Sequence, residues 1–228
     1  MKKNKAAENE LTAKNVKQLN LIEVDQGQDE QEMTSFFAEV MQKLPRRASE
    51  IVLNNYDKTK IQAEKILSKS KDQFENVFDN FLEGVDDETR KKCHSTIHAA
   101  SLTAAIIGCS PIPFSDAFLL VPVQLTMMAR LHKLFGQSWS KSLSSSISKE
   151  LVVVGLGRSA VGNLMKLIPT VGTIAGAAIN GVVASTITEA LGWTTVKMLN
   201  DGEDIFEELT SFKGQFKTLS KALKSSTK

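Results

Sequence analysis

The sequence has 228 residues, with 28 basic and 26 acidic side chains and a formal net charge of +2. A chain of this length can bury a substantial core, which favours one compact unit. Nucleic acids require a strongly basic face, so the near balance of charge gives no reason to expect a nucleic-acid partner. Two cysteines are too few for a disulfide framework, and the N-terminal lysines are not followed by the apolar run of a secretory signal. We therefore expect an intracellular protein with free thiols.

The N-terminal third of the chain predicts a disordered polar arm followed by an amphipathic helix. Residues 1–35 are rich in Lys, Glu, Asn and Gln, and a segment of this composition cannot bury enough apolar surface to order itself. Within 36–84, apolar residues recur at steps of three and four, a spacing typical of an amphipathic helix. We expect Pro45 to interrupt this helix, because proline removes a backbone hydrogen bond.

Gly84 and the acidic residues that follow it mark the next boundary. Glycine suits a helix end, and Asp86 or Asp87 can accept hydrogen bonds from the free amides that open a new helix. This boundary predicts a core domain over 85–200, followed at 201–228 by a C-terminal amphipathic helix and a solvated tail.

Two stretches of the core domain carry no Asp, Glu, Lys or Arg, namely Cys93–Ser115 and Leu167–Thr188. No strand-like alternation longer than a few residues accompanies them, so the predicted fold class is all-α. We expect a helical bundle built from two apolar helical hairpins and flanking amphipathic helices. The second stretch has about the length of a membrane span, but its glycines, threonines and proline offset its apolar residues on an insertion scale. Hydropathy therefore leaves open whether the hairpins span, lie on or avoid a bilayer.

The segment "GCSPIPFSDAFLLVPVQ" predicts the turn of the first hairpin. Pro111 and Pro113 cannot lie inside a helix without losing hydrogen bonds and clashing with the preceding turn. Ser115 and Asp116 then stand where a side-chain oxygen can cap the next helix, although a binding role for Asp116 stays open. Pro122 lies either in the first turn of that helix or at a kink within it.

Glycines inside predicted helices form a second unusual feature. Each costs about 0.5–1 kcal/mol relative to alanine, so close helix packing is the compensation that we expect. The spacing of Gly172, Gly176 and Gly181 produces a small-residue face for another helix. This pattern fits tight packing within a bundle or association in a membrane, and both readings stay open.

The motifs of enzymes are weak in this sequence. Cys93, His94 and His98 lie within about one helical turn, a spacing that suits a metal, but third and fourth ligands are not evident. "GLGRSAVG" follows no convincing strand, and no phosphate-binding loop or nucleophile elbow is present. We therefore predict no catalytic residues, no metal and no cofactor, and a metalloenzyme is the least favoured alternative. Trp139 and Trp193 suit either a membrane interface or the edge of a core.

The stretches "TAAIIGCSPIPFSDAFLLVPVQLTMMARLHKLFG" and "GNLMKLIPTVGTIAGAAINGVVASTITEALGW" resemble the YcjF-like family, a bacterial domain of unknown function often found C-terminal to the G domain of Era-like GTPases. The resemblance covers about Thr96 to Met198. Its motif positions include Gln124, Lys166, Pro169, Glu189 and Trp193. It implies an α-helical, apolar module at or near the cytoplasmic face of a bacterial membrane. It implies no catalytic role for these positions.

The chain departs from this family by having no G domain, so the resemblance implies at most a partnership with a separate GTPase. We therefore predict a non-enzymatic, membrane-associated helical adaptor or scaffold. Its predicted partners are membrane lipid or a membrane surface, a GTPase in trans and a second copy of the chain. Its predicted location is the cytoplasmic side of the bacterial inner membrane, or the cytoplasm with peripheral membrane association. The alternative is a membrane-inserting or pore-forming effector that stores its apolar hairpins in a soluble bundle.

Overall fold

The computed structural model describes residues 27, 29–112, 117–140 and 177–203; for 69–80, 117 and 177–178 it describes the backbone alone. These residues form helices, turns and short connections, and no strand occurs among them. The predicted all-α fold class is therefore confirmed.

The helices follow one another with short connections in the N-terminal half. They are α1 (29–43), α2 (Arg46–Asn54), α3 (Tyr56–Phe78), α4 (Asp87–Cys109), α5 (Val121–Leu134) and α6 (Ala177–Asn200), with 3₁₀ turns at Asp79–Leu82 and Ala117–Leu119. Pro45 separates α1 from α2, so the predicted interruption is confirmed. A second break at Asn55 divides the remainder into α2 and α3, because the chain turns there before α3 begins.

Residues 29–35 belong to α1, although their polar composition assigned them to the disordered arm. Met33 is buried, and Glu32 pairs with Arg130, which lies 98 positions further along the chain. The predicted end of the arm at residue 35 therefore lies too late. Tertiary contacts order this segment, and local composition does not reveal them.

Local capping chemistry fixes where α4 and α5 begin. The Asp86 carboxylate accepts the amides of Glu88 and Thr89 at 3.1 and 3.0 Å, which settles the choice of cap in favour of Asp86. The hydrogen bonds from Thr89 lower the pKa of this carboxyl. Gly84 has a φ of 78°, in the left-handed backbone region that a glycine adopts readily after the end of a helix. Pro122 lies in the first turn of α5, where its missing N–H breaks no helical bond.

Helices α4 and α6 lie at the centre of the bundle and run antiparallel, since Gly108 meets Gly181 while Ile97 meets Gly192. Helix α5 returns along α4, and α3 packs against both central helices. Both free cysteines lie in α4 and are buried, and burial raises the pKa of Cys93 to about 12 and that of Cys109 to about 11. No helix in the described part of the chain combines the length and the apolar character that a membrane span requires.

Candidate functional site

The contact between α4 and α6 brings two backbones together. A Cβ atom on Gly108 would lie 2.7 Å from the carbonyl oxygen of Asn180 and 2.8 Å from the Cα of Gly181. A Cβ on Gly181 would collide with the sulfur of Cys109 and lie 3.1 Å from the carbonyl oxygen of Ala105. Only glycine allows helices to approach this closely without a shift of the backbone.

Gly181 is the only one of the three predicted packing glycines that falls among the described residues. Gly172 and Gly176 lie outside them, so a continuous glycine face stays a prediction. Gly192, one turn from the middle of α6, is also enclosed: its Cβ would lie 2.8 Å from Ile97 and 3.0 Å from the sulfur of Met127. These neighbours are side-chain atoms, which can move more easily than the backbone beside Gly108.

A titratable cluster lies between the two central helices. The rings of His94 and Trp193 meet edge to face with centroids 4.7 Å apart. Glu189, one turn before Trp193, keeps part of its residue surface exposed, but its carboxyl group is surrounded by protein. Burial raises the pKa of Glu189 to about 8, and a hydrogen bond from Trp193 opposes this effect. The carboxyl is therefore largely protonated at neutral pH, which suits a structural role within a helix whose only other ionisable side chain is Lys197 near its end.

A second polar cluster fastens α1 to α5. The guanidinium of Arg130 pairs with Glu32 and Glu39, at 2.7 Å in each case, and lies over the ring of Phe36 with its carbon 5.0 Å from the centroid. Lys43 donates to Glu39 at 2.7 Å and to the hydroxyl of Thr126 at 2.9 Å. These contacts place the end of α1 beside the beginning of α5.

The electrostatics of this cluster favour charged groups. Burial opposes ionisation of Glu39, but hydrogen bonds from Lys43 and Arg130 outweigh it and hold the pKa of Glu39 below its ordinary value. Sequence reasoning missed the cluster because Arg130 lies 91 and 98 positions from its partners. One signal was available: Arg130 is a rare cation in an otherwise uncharged segment, and such a residue usually has a buried partner.

The α4–α5 end of the bundle carries exposed apolar residues. Pro111 is exposed and Ile112 is half-buried, and the side chain of Phe118 is 58% exposed although its neighbour Leu119 is buried. A large apolar side chain in water at this position contributes little to the core. The feature therefore marks this end as a candidate contact surface.

The predicted caps of this hairpin lie next to the exposed end. Pro113, Ser115 and Asp116 fall outside the described residues, so their roles stay predictions. A 3₁₀ turn separates Asp116 from α5, whose N-cap position is Leu120, and Leu120 forms no side-chain cap bond.

Other residues singled out from the sequence occupy separate places. Gln124 is buried in α5, whereas Lys166 and Pro169 lie outside the described residues. Trp193 is buried in the core, which favours the core reading for it. Trp139 is half-buried with its ring 4.8 Å from that of His132, and both readings stay open for it.

The cluster at Cys93, His94 and His98 does not converge on one point. Cys93 is buried in the core, whereas His98 is exposed. Within the described ranges, no three His, Cys, Asp or Glu side chains gather as metal ligands.

Comparison with known proteins gives a family and one relative. A family model described as a domain of unknown function (DUF697) matches residues 70–225. A protein named magnetosome membrane protein 22, from Magnetospirillum gryphiswaldense, is 35% identical over 111 residues, which cover 47% of this chain and 55% of the relative. The chain therefore spans about half the length of that relative. No solved structure matches the chain.

Proposed function

Since the chain belongs to the DUF697 family, we propose that it is a non-enzymatic helical adaptor that associates with the surface of a membrane and there binds a separate GTPase. The name of the relative, a magnetosome membrane protein, supports a membrane location. The proposal includes membership of the YcjF-like group, which the chain resembles in its sequence motifs. The matched range is wider than the predicted likeness from Thr96 to Met198.

The exposure of Phe118 is the observation that best supports a membrane contact. Phe118 is 58% exposed, whereas Phe36 and Phe37 are buried and Phe81 and Phe135 are half-buried. Phenylalanine is one of the residues that interfacial segments bury at the boundary between lipid headgroups and acyl chains, and one exposed ring at the α4–α5 end can insert at that depth. The α4–α5 end is therefore the proposed membrane-binding end.

The non-enzymatic character is supported by the engagement of the polar groups. Arg130 is held by two glutamates, and the protonated carboxyl of Glu189 lies beside Trp193. A catalytic acid or base needs access to a substrate. The pairs of Arg130 instead join α5 to α1, and Glu189 and Trp193 lie one turn apart on α6 inside the protein, which suits a scaffold.

Vesicle flotation tests the membrane contact. We expect the full chain to float with vesicles and Phe118→Ser to lose most of this binding, because the ring no longer inserts. Ile61→Ser is the matched control, since Ile61 on α3 is 56% exposed and its change removes a similar exposed apolar side chain. Equal flotation of Phe118→Ser and wild type would overturn the choice of Phe118, and failure of the wild type to bind any vesicle would overturn the membrane role.

Two further measurements test the remaining parts. Release of an encapsulated dye from the same vesicles would favour the membrane-inserting effector over the adaptor. A pull-down from native membranes tests the GTPase, which we expect to be retained by wild type. Recovery without any GTPase would remove that part of the proposal and leave the membrane contact intact.

A further inference from the structure

The junction of α1 and α2 lies at the same end of the bundle as Phe118. Lys43 reaches Thr126 in the second turn of α5, while Arg130, further along α5, contacts the earlier residues Glu32 and Glu39. Helix α1 therefore runs antiparallel to α5, and its last residues approach the N-terminal end of α5. Phe118 lies three residues before that end.

Two arginines follow this junction and face solvent. The side chain of Arg46 is 93% exposed and pairs with Glu50 at 2.9 Å, and Arg47 is exposed without an ion pair in the described part of the chain. The first turn of α2 holds no acidic residue. Cations at this position are disfavoured by the helix dipole, and only Arg46 gains an exposed pair within the helix, so the stability of α2 does not account for Arg47.

We propose that Arg46 and Arg47 bind the anionic headgroups of a membrane whose acyl boundary receives Phe118. This inference rests on the proposed function and adds the class of lipid. An inserted ring and cations at the same end of the bundle form two independent attractions to one surface, and stable attachment of a protein to a membrane commonly needs two such signals. Lys43 is engaged with Glu39 and Thr126, so it positions the junction.

Charge complementarity identifies the occupant as anionic lipid. A cation near an anionic membrane surface contributes about fivefold to binding, which corresponds to about 1 kcal/mol. The two arginines together therefore contribute about 10- to 30-fold. Because both lie in water, salt screens this attraction within about 10 Å at 0.1 M ionic strength.

The test compares vesicles of phosphatidylcholine alone with vesicles that also contain phosphatidylserine. We expect wild type to bind the mixed vesicles about 10- to 30-fold more tightly, with the difference lost at high salt. The double variant Arg46→Gln/Arg47→Gln should bind both vesicles at the level that wild type shows for neutral ones. Phe118→Ser should lose binding to neutral vesicles.

Lys92→Gln/Lys133→Gln is the matched control. It removes the same charge at the opposite end of the bundle, and Lys92 has an exposed partner four positions away, as Arg46 does. We expect this variant to keep the preference for anionic vesicles, with circular dichroism verifying that both double variants are folded.

The outcomes separate this inference from the proposed function. If both double variants lose the preference equally, only overall charge matters and the inference is wrong. A full preference in the arginine variant, or equal binding of wild type to both vesicles, also overturns it while leaving a membrane role. Absence of wild-type binding to any vesicle overturns both.

Discussion

At the contact between α4 and α6 backbone meets backbone through Gly108 and Gly181, whereas α1 meets α5 through a large buried ring and charged side chains. The first contact has almost no room to adjust, because the touching atoms belong to the helix backbones. The second contains flexible side chains whose charged ends still reach water. The comparison teaches that a small added group should disturb the centre, that loss of volume and added salt should disturb the α1 contact, and that pH should act on the two with opposite sign.

The largest expected effect is at Phe36, which is fully buried beneath Arg130. Phe36→Ala should lower the free energy of unfolding by about 3–5 kcal/mol, because it removes a buried ring and leaves a cavity. Urea titration measures this change, and Phe118→Ala is the control with an exposed ring of the same type. Similar losses in both variants would show that α1 is not anchored by Phe36.

The next effect is a pH dependence set by Glu189. As pH rises from about 4.5 to about 8, the unfolded chain releases a proton that the folded carboxyl retains, so this residue lowers stability across that window. The slope approaches about 1.4 kcal/mol per pH unit. Glu189→Gln should therefore be more stable than wild type at pH 8 and equal to it at pH 4, as measured by urea titrations at several pH values.

Glu39→Gln provides the opposite sign for comparison. The folded pKa of Glu39 is lowered, so its stabilising contribution is present above about 4.5, the ordinary value, and is lost as pH falls through the folded pKa. This variant should lose stability at pH 7 and little in acid. Parallel pH profiles for the two variants would contradict the assigned environments.

A smaller effect is expected from one methyl group at the central contact. Gly108→Ala should cost about 1–3 kcal/mol, because its Cβ meets the backbone of α6 at 2.7 Å and one helix must move. Gly192→Ala meets side chains of Ile97 and Met127 and should cost less. The same urea titrations rank the two variants, and a stabilised Gly108→Ala would mean that the helices lie further apart than described.

The smallest effect concerns the ion pairs of α1. Arg130→Met keeps an apolar stem over Phe36 but removes the pairs with Glu32 and Glu39, and should cost about 1–2 kcal/mol at low salt. The cost should shrink as salt rises or as the glutamates become protonated. Lys92→Gln breaks an exposed pair and should produce no measurable change, so an equal loss there would show that Arg130 has no special role.

Local chemistry made much of the fold predictable. Apolar residues spaced three and four positions apart indicated helices, and Asp86 supplied a cap. Pro45 and Pro122 lie at the starts of helices, where a missing N–H removes no helical hydrogen bond. These features depend on residues within one or two turns. They therefore leave a direct record in the sequence.

The candidate sites were less predictable because they join distant parts of the chain. Arg130 pairs with Glu32, which lies 98 positions away in the sequence. The need for glycine at position 108 comes from the backbone of α6, which packs against it only in the folded bundle. Glu189 and Trp193 were identified by their place in a family-like motif, which did not indicate that the carboxyl would be protonated. Burial of a charge is a property of the assembled bundle.

The two buried cysteines of α4 can report transient opening of the bundle. Their thiols are protonated at physiological pH and enclosed by neighbouring helices, so an alkylating reagent reaches neither until the bundle opens. The rate of maleimide labelling at Cys93 and Cys109 thus measures how often each end of α4 becomes accessible to solvent. The labelling of these native cysteines therefore measures local unfolding without an introduced probe.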